Sequence, residues 1–101
     1  MTLSKIVALA GLGLKGGNLV VGVDAVREAI MKERIRLVLI AADASARARE
    51  RIVTPARLRS IPLVEVNSAL EFGARLGKSV VMVAGVKDAG LAREILEVAA
   101  K

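Results

Sequence analysis

The chain has 101 residues, 54% apolar and 26% charged, with a formal net charge of +6. That is enough for one hydrophobic core and too little for two ordinary domains, so residues 1–101 are read as a single domain. It contains neither cysteine nor histidine, which removes disulfides, thiolate metal sites, cysteine nucleophiles and the imidazole that most often serves as general base or zinc ligand.

Ser4 to Leu14 reads as a helix, with Ser4 at its N-cap and Ile6, Leu9 and Ala10 along one side. Gly11 and Gly13 weaken its last turn, and Lys15-Gly16-Gly17-Asn18 stops it. Leu19 to Val21 is a short extended piece. Gly22 turns the chain into a second helix, where Val23, Val26 and Ile30 recur at helical spacing and Arg27, Glu28 and Lys32 face outward. Leu37 to Ala41 is apolar on both faces, the signature of a central strand covered on each side. An arginine-rich helix follows, and Thr54-Pro55 is expected to kink it or divide it in two, because proline has no N–H for the carbonyl four residues earlier. Leu63 to Val66 is a strand with one charged position, Asn67 or Ser68 caps a brief helix, and Ser68 with Glu71 matches a capping box. Gly73 and Gly77 delimit that helix. Val80 to Ala84 reads as the last strand, and Asp88 caps a final helix that turns Leu91, Ile95 and Val98 or Ala99 inward. Helices alternating with strands predict an α/β fold with a mostly parallel small sheet between helical layers.

Gly11-Leu12-Gly13-Leu14-Lys15-Gly16 matches the letters of G-x-G-x-x-G. A dinucleotide site needs that motif between a strand and a helix, so that free helix N–H groups meet the pyrophosphate. Here an extended segment follows it, and helix termination accounts for the glycines. Ser45, Ser60, Ser68 and Ser79 have no histidine to activate them, and no carboxylate spacing points to catalysis. No catalytic residue, metal or cofactor is expected. No run approaches the roughly eighteen apolar residues of a membrane span, and the short apolar stretch after Lys5 lacks a cleavage pattern. A cytoplasmic protein without a membrane partner is expected.

Between Ser45 and Ser60 five arginines (Arg47, Arg49, Arg51, Arg57 and Arg59) oppose the single acid Glu50. This is either a solvated helix face or a surface for an anion. With one aromatic residue, Phe72, expected in the core, a stacking platform for single strands is lacking. Any nucleic-acid contact must then rest on backbone phosphates, with cations and helix-terminal amides at Gly22-Val23 as the groups that meet them.

Gly22 and the helix to Ile30, then the run Arg36 to Asp43, Ile61-Pro62, and the run Phe72 to Gly77 form a succession. It resembles the kink-turn-binding ribosomal protein family of the L7Ae and L30e type. The features Gly17-x-Leu19-Val20-x-Gly22, Leu39-Ile40-Ala41-x-Asp43-Ala44-Ser45, Gly77-Lys78 and Val86-x-Asp88-x-Gly90-Leu91-Ala92 are similar to its bacterial YlxQ branch. The resemblance implies a three-layer α-β-α sandwich with a small four-stranded sheet, mixed or mostly parallel. It also implies binding to kinked RNA helices through the start of the second helix and an apolar loop before the last strand. The family's Gly-Asn-Glu-x-x-Lys motif falls on Gly22, Asp24, Ala25 and Glu28, so only the glycine is kept. Asp24 accepts hydrogen bonds but cannot donate as asparagine does, and Glu28 puts a negative charge where a lysine would meet phosphate. The apolar loop looks shortened, because Lys78-Ser79 runs almost directly into Val80.

Two readings follow. In the first the chain is a non-catalytic binder of structured RNA, kink-turn-like or ribosomal, accessory to translation and alongside translation-associated proteins. Lys15, Asn18, Gly22, Asp24, Arg27 and Lys78 would form its contact edge. In the second it is a protein-interaction module of the same fold that has lost the RNA code.

Overall fold

A computed structural model describes residues 2–101. In chain order they form α1 (Thr2–Lys15), β1 (Leu19–Val21), α2 (Val23–Met31), β2 (Leu37–Ala41), α3 (Ala46–Leu58), β3 (Leu63–Val66), α4 (Ala69–Arg75), β4 (Val83–Val86) and α5 (Ala89–Ala99). The α/β sandwich is as expected. The sheet order is β1-β4-β2-β3. Its pairing is mixed, because β2 and β3 are parallel while β4 runs antiparallel to both β1 and β2.

Of the two sheets expected, mixed or mostly parallel, it is the mixed one, and β4 makes it so for a local reason. After β3 the chain descends through α4, only seven residues long, and residues 77–82 climb back along it. The Lys78 amide donates to the Gly73 carbonyl at 2.8 Å, and the Val81 amide to the Ala69 carbonyl at 3.0 Å. The chain thus returns to the end where β3 finished, and β4 must run the other way. The same climb corrects the expected strand at Val80 to Ala84. The Val81 N–H is used on a helix rather than a ladder, and pairing spans Val83 to Val86 instead.

Side chains alternate across the sheet as the pleat requires. Leu37, Leu39, Ala84 and Val86 join Ile6, Val7, Ala10, Phe72 and Ile95 on the side of α1, α4 and α5. Val38, Ile40 and Val83 join Val26, Ile30, Ala48 and Ile52 on the side of α2 and α3. Burial on both faces is what the unbroken apolar run of β2 foretold.

Helix α1 is longer than Ser4 to Leu14, so Ser4 lies within its first turn rather than at a cap. Gly13 also lies where α5 packs on α1, since a Cβ there would stand 2.6 Å from the Leu91 Cδ2. Gly11 and Gly13 thus sit late in a helix, not ahead of one, and no phosphate cradle forms. Helix α3 is one helix and not two, with Pro55 inside it. The Arg51 carbonyl, which Pro55 cannot serve, accepts instead from Arg27 Nη1 of α2 at 3.4 Å. The caps read at Ser68 and Asp88 are present, accepting from the Glu71 and Leu91 amides at 3.1 and 2.8 Å.

Gly73 lies inside α4, not at its end. A Cβ on it would come within 2.9 Å of the Ser79 carbonyl oxygen and of the Val80 N and Cα, all backbone atoms. Gly73→Ala is therefore expected to destabilise by about 1–3 kcal/mol despite alanine's better helix propensity. Amide exchange at Val81 should quicken with it. A neutral or stabilising change in denaturant unfolding would show that residues 77–82 give way freely.

Candidate nucleic-acid interface

Strand directions bring several chain segments to one end of the sheet. Strands β1, β2 and β3 finish there and β4 begins there. Three helices therefore start at that end, and residues 77–82 close over it. Ser45 accepts from the Ala48 amide at 3.1 Å at the start of α3. At α4, Ser68 is the cap and Asp43 Oδ1 accepts the Ala69 amide at 2.8 Å. Helix α2 has no side-chain cap.

Gly22 enters α2 with φ 106° and ψ 147°, backbone that glycine adopts at low cost and other residues rarely do. Its amide donates to the Val83 carbonyl at 3.0 Å and its carbonyl accepts from Val26 at 2.9 Å. The expectation that the Gly22 amide itself meets a ligand is thus corrected: the β1–β4 ladder takes it. The first-turn amides of Val23, Asp24 and Ala25 are those without an intrahelical carbonyl. Apart from residues 21–23, no part of the chain lies within 4 Å of a Cβ built on Gly22, so nothing else covers the turn at that point.

Beside this turn lies a hollow of about 280 Å³ lined by Val23, Asp24, Ser45, Arg47, Ala48, Arg51 and Met82. Arg51 Nη2 meets Asp24 Oδ1 at 2.8 Å, with side-chain exposures of 39% and 89%. A pair so wet contributes at most about 1 kcal/mol, but it cancels the Asp24 charge where an anion would arrive. Arg47, one turn earlier on α3, forms no ion pair among the described residues. Arg49 points elsewhere, tying the Ala41 and Ala42 carbonyls and Glu65 at 2.9–3.2 Å. Glu28 bonds Lys32 at 2.7 Å. That hydrogen bond, then the Lys32 charge, and to a lesser degree Arg34, hold its carboxyl below the usual carboxylate range.

Of the six residues read from the sequence, Gly22, Asp24 and Arg27 come together at the start of α2, although Arg27 is turned onto α3. Lys78 is exposed one helical turn down α4, held by its amide on Gly73. Lys15 and Asn18 lie at the opposite end of the sheet, where the Asn18 carbonyl accepts the Lys87 amide at 2.9 Å. Strand β1 separates Asn18 from Gly22 by about 13 Å at the usual rise per residue. The loop before β4 is longer than the sequence reading made it, because Val80 to Met82 belong to the loop and not to the strand. It runs from residue 77 to 82 and is apolar at Val80, Val81 and Met82, with Val80 53% exposed. Arg47 and Arg51 were legible only as members of an arginine-rich span. Their i,i+4 spacing puts them on one face of α3, but that this face meets α2 is decided by packing.

A family model described as the ribosomal protein L7Ae/L30e/S12e/Gadd45 family matches residues 5–96. Among curated proteins, the RNA-binding protein YlxQ of Bacillus subtilis (strain 168) is 30% identical over 88 residues, which are 87% of this chain and 88% of that protein. The RNA-binding protein YlxQ of Enterococcus faecium is 28% identical over 93 residues, 92% of this chain and 89% of that one. Among solved structures, a Bacillus halodurans protein described as having unknown function superposes with a TM-score of 0.90 at 27% identity, covering 96% of this chain and 98% of its own. A Giardia lamblia 15.5kD RNA binding protein shares the fold, with a TM-score of 0.83 at 20% identity over 99% of this chain and 87% of that one.

Proposed function

The chain belongs to the ribosomal protein L7Ae/L30e/S12e/Gadd45 family, and on that premise we propose that it is a non-catalytic binder of structured RNA, accessory to translation in the cytoplasm. The observation that carries this reading is the uncapped start of α2, open at Gly22 and flanked by Arg47 and by an apolar loop. A bent sugar–phosphate ridge fits such a turn. Phosphate oxygens accept from the first-turn amides, favoured by the positive end of the helix dipole, and Gly22 leaves no side chain in the way. Arg47 holds a neighbouring phosphate as a fixed fork of donors. Asp24, acceptor only, suits the N–H edge of an unpaired guanine, while Val23, Met82 and Val80 offer apolar surface to its ring. The names of the two YlxQ relatives support RNA as the ligand class.

The test is binding to a kink-turn hairpin, a ribosomal RNA fragment and a plain duplex at two salt concentrations. One of the structured RNAs should bind more tightly than the duplex. Arg47→Gln should lower the slope of log affinity against log salt by about one. Equal, weak and easily screened binding to all three would overturn the proposal. A second reading has its own support: the Asp24–Arg51 pair and the turning of Arg27 onto α3 remove two cations from this edge, as in a protein-interaction module of the same fold. A stoichiometric protein partner that survives nuclease treatment of a lysate, with no RNA bound, would favour it.

A further inference from the structure

The cations at the start of α2 are largely engaged within the protein, whereas two that stand beyond its far end, Arg34 and Lys87, are not. A hollow of about 250 Å³ runs beside α2 on its β1 side, lined by Val20, Ala25, Glu28, Ala29, Lys32, Arg34 and Lys87. It begins at Ala25, in the first turn of α2, and ends beyond the helix at Arg34 and Lys87. Three cations share it with one carboxylate. Glu28 neutralises Lys32 at 2.7 Å, which leaves Arg34 and Lys87 exposed and without an ion pair among the described residues.

Basic residues at helix C-termini commonly do no more than complement the helix dipole, and Lys15 and Arg57 occupy such positions in α1 and α3. Lys87 does not. It stands one residue before the Asp88 cap of α5, at the positive end of that helix, where the dipole disfavours a cation. The Asp88 carboxylate beside it accepts from the Leu91 amide at 2.8 Å. The Lys87 backbone is fixed by its amide on the Asn18 carbonyl, so the side chain leaves from a rigid strand end. Glu33, exposed and next to Arg34 in sequence, forms no ion pair with it.

We propose that Arg34 and Lys87 are phosphate-binding residues, which take the backbone of an RNA stem that leaves the start of α2 and runs along the β1 side of that helix. This rests on the RNA reading above and extends its surface by the length of α2, about 13 Å for nine residues. The Glu28–Lys32 pair lies midway and presents no net charge. The ligand chemistry is the phosphodiester backbone and not base edges, so the two residues add affinity without sequence preference.

The test compares wild type with R34Q/K87Q, with R47Q, and with R57Q/R93Q as an equal charge loss elsewhere on the exposed surface. The probes are a kink-turn hairpin with a long stem and the same hairpin cut too short to span α2. R34Q/K87Q should lower the salt slope by about two on the long hairpin and leave the short one unchanged. The control pair should change neither, and all variants should melt as wild type does. An equal loss with R57Q/R93Q, or an unchanged slope with R34Q/K87Q while R47Q lowers it, overturns this inference and leaves the α2 edge standing. A loss with R34Q/K87Q but none with R47Q supports it and removes Arg47 from the edge. Failure of the wild type to bind either hairpin overturns this inference, and the RNA reading then stands or falls on the ribosomal fragment.

Discussion

Phe72→Ala is expected to cost about 3–5 kcal/mol, a large share of the 5–15 kcal/mol or so that holds a domain of this kind together. Phe72 is fully buried and is the only aromatic side chain in the molecule. It lies in the cluster of Ile6, Ala10, Val66, Leu76 and Val81, where α1, α4, the sheet and the loop before β4 converge. Its aliphatic neighbours interlock around one ring and cannot refill its volume without leaving rotamer wells. Equilibrium unfolding in urea should show a lower midpoint with an unchanged slope, and amides of α4 and of residues 77–82 should lose protection first. A cost below about 1.5 kcal/mol, the range of volume-conserving swaps, would mean that the core collapses onto the gap and that the loop does not depend on the ring.

The second large effect joins stability to binding at one residue. Gly22→Val should cost up to about 3 kcal/mol, because φ 106° with ψ 147° is a region that a β-branched residue enters only under strain. Gly22→Ala carries the same backbone strain with a smaller group. Apart from residues 21–23, no atom of the protein stands near the added carbon, so a steric effect on affinity comes from the ligand and not from the fold. Measured where each variant is still folded, affinity for a kink-turn hairpin should fall at least tenfold in the valine variant and less in the alanine variant. Wild-type affinity in both would place the RNA somewhere other than over this turn, whatever their stabilities.

Most of the element list is legible along the chain, because the signals that set it are local. The Ser68 and Asp88 caps, the unbroken apolar run of β2 and the helical spacing in α2 act within a turn or a strand, and each stands where it was read. The departures share one cause. Pro55 was expected to kink α3 or divide it in two; the helix is undivided, and Arg27, 24 positions before Arg51, meets the Arg51 carbonyl that Pro55 leaves unserved. Val80 and Val81 carry the composition of a strand, yet Val81 is buried against a helix. Gly13 reads as a weak point in a helix and is the gap through which α5 closes on α1.

The candidate site divides the same way. Gly22 was legible because a turn between strand and helix is a local demand on φ. That Lys15 and Asn18 belong to the other end of the sheet, that Arg51 cancels Asp24, and that Lys87 shares a hollow with Arg34 follow from strand order and helix packing. Charge acts through space over several ångströms, whereas a sequence orders residues only along the chain. Which cations stand free and which are neutralised is therefore decided by the tertiary structure alone.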